Sequence, residues 1–443
     1  MIKSLTLHNR KHQVIRAITA NNRDLDPIAR ERKFAAMAES PYRFFRGTSH
    51  LFWQDMYNDW RFALFGGVEG TQTWIQGDAH VYNFGAFANH DGDVIYGLDD
   101  FDDAIVSDYQ YDLWRLAVSL VLDCRANGRF DESAQADALD ALAGRYLDAA
   151  TQWDQDDLGR EVHFTADNAG KPLKSFLKKV AKKKGRLRML NKWTRFQKNG
   201  KRVFDTANPK LKRLSPQARK TFMDAFEAYR DTRDDTSDFF AVKDVVRRIK
   251  AGTGSMGTPR YYALIEGPDG GHDDDIILDI KQQDGPSICQ AMDADERAAY
   301  EAAYDNEGVR HARAFRALAE HPDRYLGWLA MDGAIFSVRE RSPFKDDFPT
   351  DKLDKEKHLR KMAALWGDVL ATEHKRASRT LNPDNPFQFE QSLQRLIVGR
   401  EGRFRRLVSA IARHYAACVE QDYRTFLAAF VDATEDDERG DMV

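Results

Sequence analysis

The stretch from Gly77 to Asp103, GDAHVYNFGAFANHDGDVIYGLDDFDD, constrains this chain more than any other. It reads as a polar loop, an apolar run, the turn signal Asn89-His90-Asp91-Gly92, a second apolar run and an acidic cluster. That order predicts a hairpin whose polar loop and acids lie near one another. From Tyr111 the period changes. Leu113, Leu116, Ala117, Leu120 and Val121 follow i, i+3, i+4, i+7, i+8 spacing, which predicts a helix that Gly128 stops. A second helix is expected over about 131–150.

The same stretch suggests a chemistry. Asp78 and Asn83 stand five positions apart on a loop short enough to present both to one cleft. An apolar strand then ends in acids, with Asp100 and Asp102 as alternative metal ligands. Kinase-type phosphoryl transfer uses such a set. One Asp receives or orients the acceptor hydroxyl, an Asn holds one magnesium, and an Asp beside a Phe holds the other. Oxygen donors of this kind suit Mg2+. The competing reading of Asp99 to Asp103 is a solvated acidic turn. Asp112 fits either a helix cap or a brace behind the loop. His80 reads as structural. In SPYRFFRGT (40–48) a turn over buried Phe44 and Phe45 competes with a phosphate-reaching role for Arg46.

GDAHVYNFG, GLDDFDDA and YDLWRLA resemble the catalytic segment of aminoglycoside and choline phosphotransferases. The chain as a whole resembles the bacterial family called domain of unknown function 2252. That resemblance runs over most of residues 30–380 and is carried also by SPYRFFRG, GTGSMG and the DIK and SVRE strands. It implies an α+β, two-lobed, protein-kinase-like fold that uses ATP and Mg2+.

Gly252, Gly254 and Gly257 of GTGSMG, with Ser255, are expected in a strand–turn–strand flap over phosphates. The run RYYALIEG after Pro259 argues against the long helix of a dinucleotide fold. Lys281 at the end of IILDIK matches the lysine that pairs with the α- and β-phosphates. Asp279 shares its face and is an expected partner, whereas kinases usually place a small apolar residue there. Glu296 and Glu301 are candidates for the glutamate partner of Lys281. The flap follows the catalytic loop in the chain, which predicts a circular permutation. The run Leu370-Ala371-Thr372-Glu373-His374 resembles the helix that precedes the catalytic strand in phosphotransferases. The expected organisation is an N-terminal helical segment (1–70), a catalytic and metal part (71–240) with a basic insert (171–202), a small sheet-rich lobe (241–342) and C-terminal helices (343–443).

Composition narrows the partners. Hydrophobic residues make up 42%, enough for a core. A formal net charge of −3 argues against general nucleic-acid binding. Residues 171–202 are the exception, with fourteen Lys or Arg, no acid and interleaved Phe176, Trp193 and Phe196. That segment reads as a solvated face, or as a collector of an anionic acceptor, membrane or RNA. Three scattered cysteines, no apolar leader and no membrane span lead to a cytoplasmic expectation. The expected function is a magnesium–ATP phosphotransferase acting on a hydroxyl-bearing acceptor. A kinase-like nucleotide-binding regulator without turnover is the alternative. A metal-dependent phosphoesterase, from Asp78-x-His80 and Asn89-His90-Asp91, is the weaker rival.

Overall fold

The N-terminal segment forms helices α1 (Leu7–Asn21), α2 (Pro27–Met37), α3 (Pro41–Gly47) and α4 (Ser49–Met56) in the computed structural model, which describes residues 7–89, 92–153, 162–233, 241–249, 257–319 and 323–432. Pro27 and Pro41 stand at helix starts, where a missing N–H costs nothing, and Asp26 and Ser40 cap the free amides. The segment expected as a turn over Phe44 and Phe45 is therefore the short helix α3, with both phenyl rings buried. Arg10 of α1 reaches both Asp55 and Asp422 at 2.6 Å, tying the start of the chain to its last helix.

Next come β1 (Gln72–Ile75), β2 (Phe84–Ala88), β3 (Val94–Leu98) and β4 (Ile105–Asp108), then α5 (Gln110–Asn127) and α6 (Glu132–Ala150). β2 and β3 are the expected hairpin. β4, not anticipated, pairs antiparallel with β1 and closes the acidic loop at its base. Gly128 ends α5 at φ 63°, the left-handed cap its position implied. Asp112 lies inside the first turn of α5 and does not cap it.

The basic segment forms α7 (Leu173–Lys183) and α8 (Arg186–Trp193), then β5 (Thr194–Phe196) and β6 (Arg202–Phe204). Its apolar stripe is spent on the core. Leu173, Phe176, Leu177 and Val180 of α7 are buried, as are Met189, Leu190 and Trp193 of α8.

β7 (Leu211–Arg213) and α9 (Pro216–Tyr229) lead into β8 (Val242–Arg248), β9 (Arg260–Ile265) and β10 (Ile276–Gln283). Helices α10 (Ala294–Ala303) and α11 (Glu307–Leu318) precede β11 (Gly327–Met331) and β12 (Ala334–Glu340). These strands form one antiparallel sheet in the order β11-β12-β10-β9-β8-β7. One face packs Val245, Ala263, Leu278, Ile280 and Val338 against Phe222, Phe226 and Tyr229 of α9. The opposite face is split. Tyr262, Leu264 and Ile277 meet Met189, Leu190 and Trp193 of α8. The rest of that face carries polar side chains, described below.

The short β13 (Asp346–Asp347) pairs with β2, and α12 (Glu356–Leu381), α13 (Gln388–Ile397) and α14 (Glu401–Phe430) complete the chain. α12 lies along α6, and α14 packs on α5, α6 and α1. Gly367 lets α12 approach closely. A Cβ there would collide with the carbonyl oxygen of Leu142 and lie 3.1 Å from the Tyr146 nitrogen. The helical part is thus built from both ends of the sequence, around a fold of mixed helix and sheet. No helix among the described residues is long and apolar enough to cross a membrane.

Candidate functional site

The loop between β1 and β2 is fixed from behind by a buried acid. Asp112 accepts the backbone N–H of Gln76 at 2.6 Å and of Gly77 at 2.9 Å. His374 Nε2 lies 3.2 Å from the same carboxylate, and its Nδ1 is 2.8 Å from the Tyr146 hydroxyl. Asp112 is therefore a brace rather than a cap, and the Leu370–His374 stretch of α12 supplies part of the bracing. Gln76 then reaches forward. Its Nε2 donates to the carbonyl of Asp100 at 2.8 Å and lies 3.4 Å from that of Asn83. One amide thus spans the two segments that carry the candidate metal ligands.

Asp78 and Asn83 sit at the two ends of this loop, and Asn83 Nδ2 donates to the Asp78 carbonyl at 2.9 Å. The Asp78 carboxylate receives Arg115 Nε at 2.7 Å together with Arg115 Nη2. The Arg115 guanidinium is fully buried, 4.3 Å from the Phe45 ring centre and 5.0 Å from that of Phe52. Burial, opposed by Arg115 and helped by Asp103, raises the Asp78 pKa to about 6. His80 Nδ1 accepts the Tyr82 N–H at 3.2 Å, and burial drives its pKa well below the ordinary value. The imidazole is neutral and structural, with Nε2 3.8 Å from Asp78.

The acidic loop gives each carboxylate a different task. Asp99 faces Lys345 at 3.1 Å. Asp103 accepts the N–H of Ser287 at 2.6 Å. Asp102 is paired with Lys281 of β10, accepts Gln283 Nε2 at 2.9 Å and has His311 3.8 Å away. Burial pushes Asp102 upward, but Lys281 outweighs it and holds the acid well below the carboxylate range. Asp100 makes no ion pair among the described residues, and the one hydrogen bond its carboxylate receives among them is a 3.4 Å contact from the Asp102 amide. Burial and the neighbouring Asp102 charge raise its pKa. The loop is not a solvated turn. Arg310, fully buried on α11, donates to the carbonyls of Ala104 at 2.7 Å and Asp102 at 2.8 Å.

Above this loop lies the polar part of the six-stranded sheet. Register places Arg260 opposite Lys281, and Asp279 opposite Arg339. Asp279 shares the face of Lys281 but is gripped by both ends of the Arg260 guanidinium, so the expected Asp279–Lys281 pair does not form. The glutamate candidates for Lys281 are elsewhere. Glu296 closes a capping box with Asp293, and Glu301 binds Arg297. A cavity of about 610 Å³ opens beside this polar face. Its walls include Asp279, Tyr262 and Arg260 of the sheet, Leu98 and Asp99 of the hairpin, and the connector Glu340–Lys345.

Gly252, Gly254 and Ser255 lie outside the described residues. Gly257, at φ 95°, sits against Leu25, where a Cβ would come within 2.8 Å. Arg46 makes no ion pair among the described residues, and its buried Nε lacks a hydrogen-bond partner. Its charge is felt by Asp78, His80, Tyr82 and Asp347. His90 and Asp91 of the phosphoesterase fragment also lie outside the described residues, and Asn89 Oδ1 is used by the Asp93 amide at 2.8 Å. Among the described residues no three His, Cys, Asp or Glu side chains cluster as a metal centre.

Sequence reasoning missed Gln76, Arg115, Arg260 and Arg339. A lone charge inside the apolar run LWRLAVSLVL was a usable sign for Arg115. Arg260 and Arg339 depend on strand register, which one sequence does not disclose.

Comparison with curated proteins and with solved structures finds no match. A family-wide sequence model does match, over residues 25–429, and so covers the braced loop, the acidic loop and Lys281. The chain belongs to the bacterial family described as "Uncharacterized protein conserved in bacteria (DUF2252)".

Proposed function

We propose that this protein is a circularly permuted, two-lobed kinase-like phosphotransferase that transfers a phosphoryl group from magnesium–ATP to a hydroxyl-bearing acceptor. The observation that carries this reading is the meeting of Lys281 with Asp102, beside Asp100, across 179 positions of sequence. The succession β8, β9, β10, two helices, β11, β12, with the lysine on its third strand, supports it. So does the order in space, because α12 returns from the sheet-rich part to brace the Asp78 loop.

The residues fit a magnesium ion. Asp100 is an acid without a cationic partner, and Asn83, whose Nδ2 is committed to Asp78, keeps its Oδ1 as a donor. Asp102 is the less suitable ligand while Lys281 holds it. Bound magnesium would neutralise phosphate oxygens. Asp78 orients the acceptor hydroxyl and takes its proton, with Arg115 keeping the carboxylate in place. Lys281 leaves Asp102 to bind phosphate, and Arg46 supplies positive charge on the acceptor side. The nucleotide lies in the interlobe cavity. Phosphoryl transfer asks the protein for alignment and charge rather than covalent help, and these groups supply both.

One observation favours the regulator reading. α11 presents Arg310 and His311, not a glutamate, toward the Lys281–Asp102 pair. A protein of that kind would bind the nucleotide without turnover.

Thermal unfolding with ATP, with and without magnesium, tests the site. A ligand at 100-fold excess over its Kd stabilises by about 2.7 kcal/mol. A magnesium-dependent shift kept in Asp78→Ala and lost in Asp100→Ala and Lys281→Ala is expected. No shift in folded wild type refutes the nucleotide site. A shift without any transfer or hydrolysis selects the regulator.

A further inference from the structure

The far wall of the interlobe cavity carries cations that phosphoryl transfer does not use. Arg248 of β8 and Arg341 of the connector both line it. Their guanidinium carbons lie 5.6 Å and 5.0 Å from the centre of the same Trp193 ring. Neither makes an ion pair among the described residues. Arg341 Nη1 is left with the Met189 sulfur at 3.1 Å, and Arg248 Nη1 with a backbone carbonyl at 3.4 Å. Two guanidinium groups gathered on one indole repel each other unless an anion joins them.

Several of the acids around them are held by other groups. Asp279 holds Arg260, Asp99 holds Lys345, and Glu340 holds Arg186 at 2.8 Å. Asp323 accepts two backbone amides, and Asp274 accepts that of Asp269 at 2.6 Å. The wall therefore offers positive charge and planar donor forks beside the Tyr262 ring, which match a phosphate group. The basic segment contributes Arg186 of α8 to this wall.

We propose that Arg248 and Arg341 form a second phosphate-binding subsite, so that the cavity takes a ligand that carries a phosphate. The proposal rests on the cavity being a ligand site, not on phosphoryl transfer occurring in it. The phosphate belongs either to a compact small molecule or to an inorganic polyphosphate chain.

Isothermal titration of the full chain with inorganic pyrophosphate, without magnesium, tests the subsite. Affinity should fall about tenfold or more in Arg341→Gln and in Arg248→Gln, because each removes a charge-assisted hydrogen-bonding partner. It should change little in Arg188→Gln on the outer face of α8. Arg341→Lys, which keeps the charge and loses the fork, should bind with intermediate affinity and guards against a misfolded Gln variant. Loss only in Lys281→Ala would place the anion at the transfer end and overturn the subsite. Equal loss in Arg188→Gln would make the binding diffuse and also overturn it, as would no binding to wild type. Long-chain polyphosphate as a second probe separates the sources. If it binds far more tightly than pyrophosphate, the ligand is a chain; equal affinity marks a compact one. Failure of magnesium–ATP to bind, with pyrophosphate binding still dependent on Arg341, would refute the transferase and leave the subsite standing.

Discussion

Lys281 and Asp102 join the sheet-rich and helical parts through a single ion pair, and a glutamine from the same strand, Gln283, completes the acid's coordination. The pair is mostly buried, with side-chain exposures of 13% and 29%. A double-mutant cycle of Lys281→Ala and Asp102→Ala should give a coupling of about 1–3 kcal/mol in denaturant unfolding. Lys281→Ala should be the worse single change, because it leaves two neighbouring acids without their cation. A coupling near zero would mean that the pair contributes nothing to docking the two parts.

Arg115 is expected to matter for stability as well as for chemistry. Arg115→Ala strips the buried counter-charge from Asp78 and should cost about 3 kcal/mol. Adding Asp78→Asn should recover part of that loss, since no buried carboxylate then lacks a partner. Urea titrations of the two variants decide it, and a double variant less stable than Arg115→Ala would contradict the account.

The Asp78 pKa of about 6 sets the pH dependence of any transfer reaction. A base works when unprotonated, so kcat/KM for magnesium–ATP turnover should rise with pH and level off above about 6. Below that value it should fall roughly tenfold per pH unit. A profile flat from pH 5 to 8 would remove Asp78 from the role of base.

Asp123 predicts a pH effect on stability away from the reacting groups. Burial, partly offset by the hydrogen bond from Thr350, raises its pKa to about 7. The folded chain then holds a proton that the unfolded chain releases near pH 4. Folding takes up that proton between these values, so stability should decline as pH rises from about 4 to about 7. Asp78 acts in the same direction up to about 6. Asp123→Asn should flatten the upper part of the curve, and the comparison is made by unfolding free energy at each pH.

Gly367→Ala should destabilise despite the better helix propensity of alanine, a gain of about 1 kcal/mol. The added methyl meets backbone of α6, not a flexible side chain, and neither helix can yield cheaply. A net loss of about 1–3 kcal/mol is expected in thermal or denaturant unfolding.

Local pattern made much of this fold legible. The hairpin of β2 and β3, the length of α5 and its Gly128 stop follow from alternation, helical spacing and one glycine. Asp78 and Asn83 were readable together because one short loop carries both, and the β2–β3 hairpin returns the chain to set Asp100 near that loop. β4 and β7 were not, since each is short and is defined by a partner strand distant in sequence. The same holds for Asp279. Alternation correctly put it on the face of Lys281, but its partner Arg260 is fixed only by the pairing of β9 with β10. Glu296 and Glu301 misled because a glutamate on the right helix carries no sign of which way that helix faces.

The bond from Arg10 to Asp422 spans 412 positions of sequence. During synthesis at about 5–20 residues per second, roughly 20 to 80 seconds separate the two. The six-stranded sheet has all its strands by Glu340, while the loop bearing Asp78 still waits for His374 and the helices that follow. A ribosome-bound chain therefore carries a finished roof over an unfinished floor. The Asp78 loop gains its full bracing only once His374 has been made, and a chain broken off before that residue lacks it.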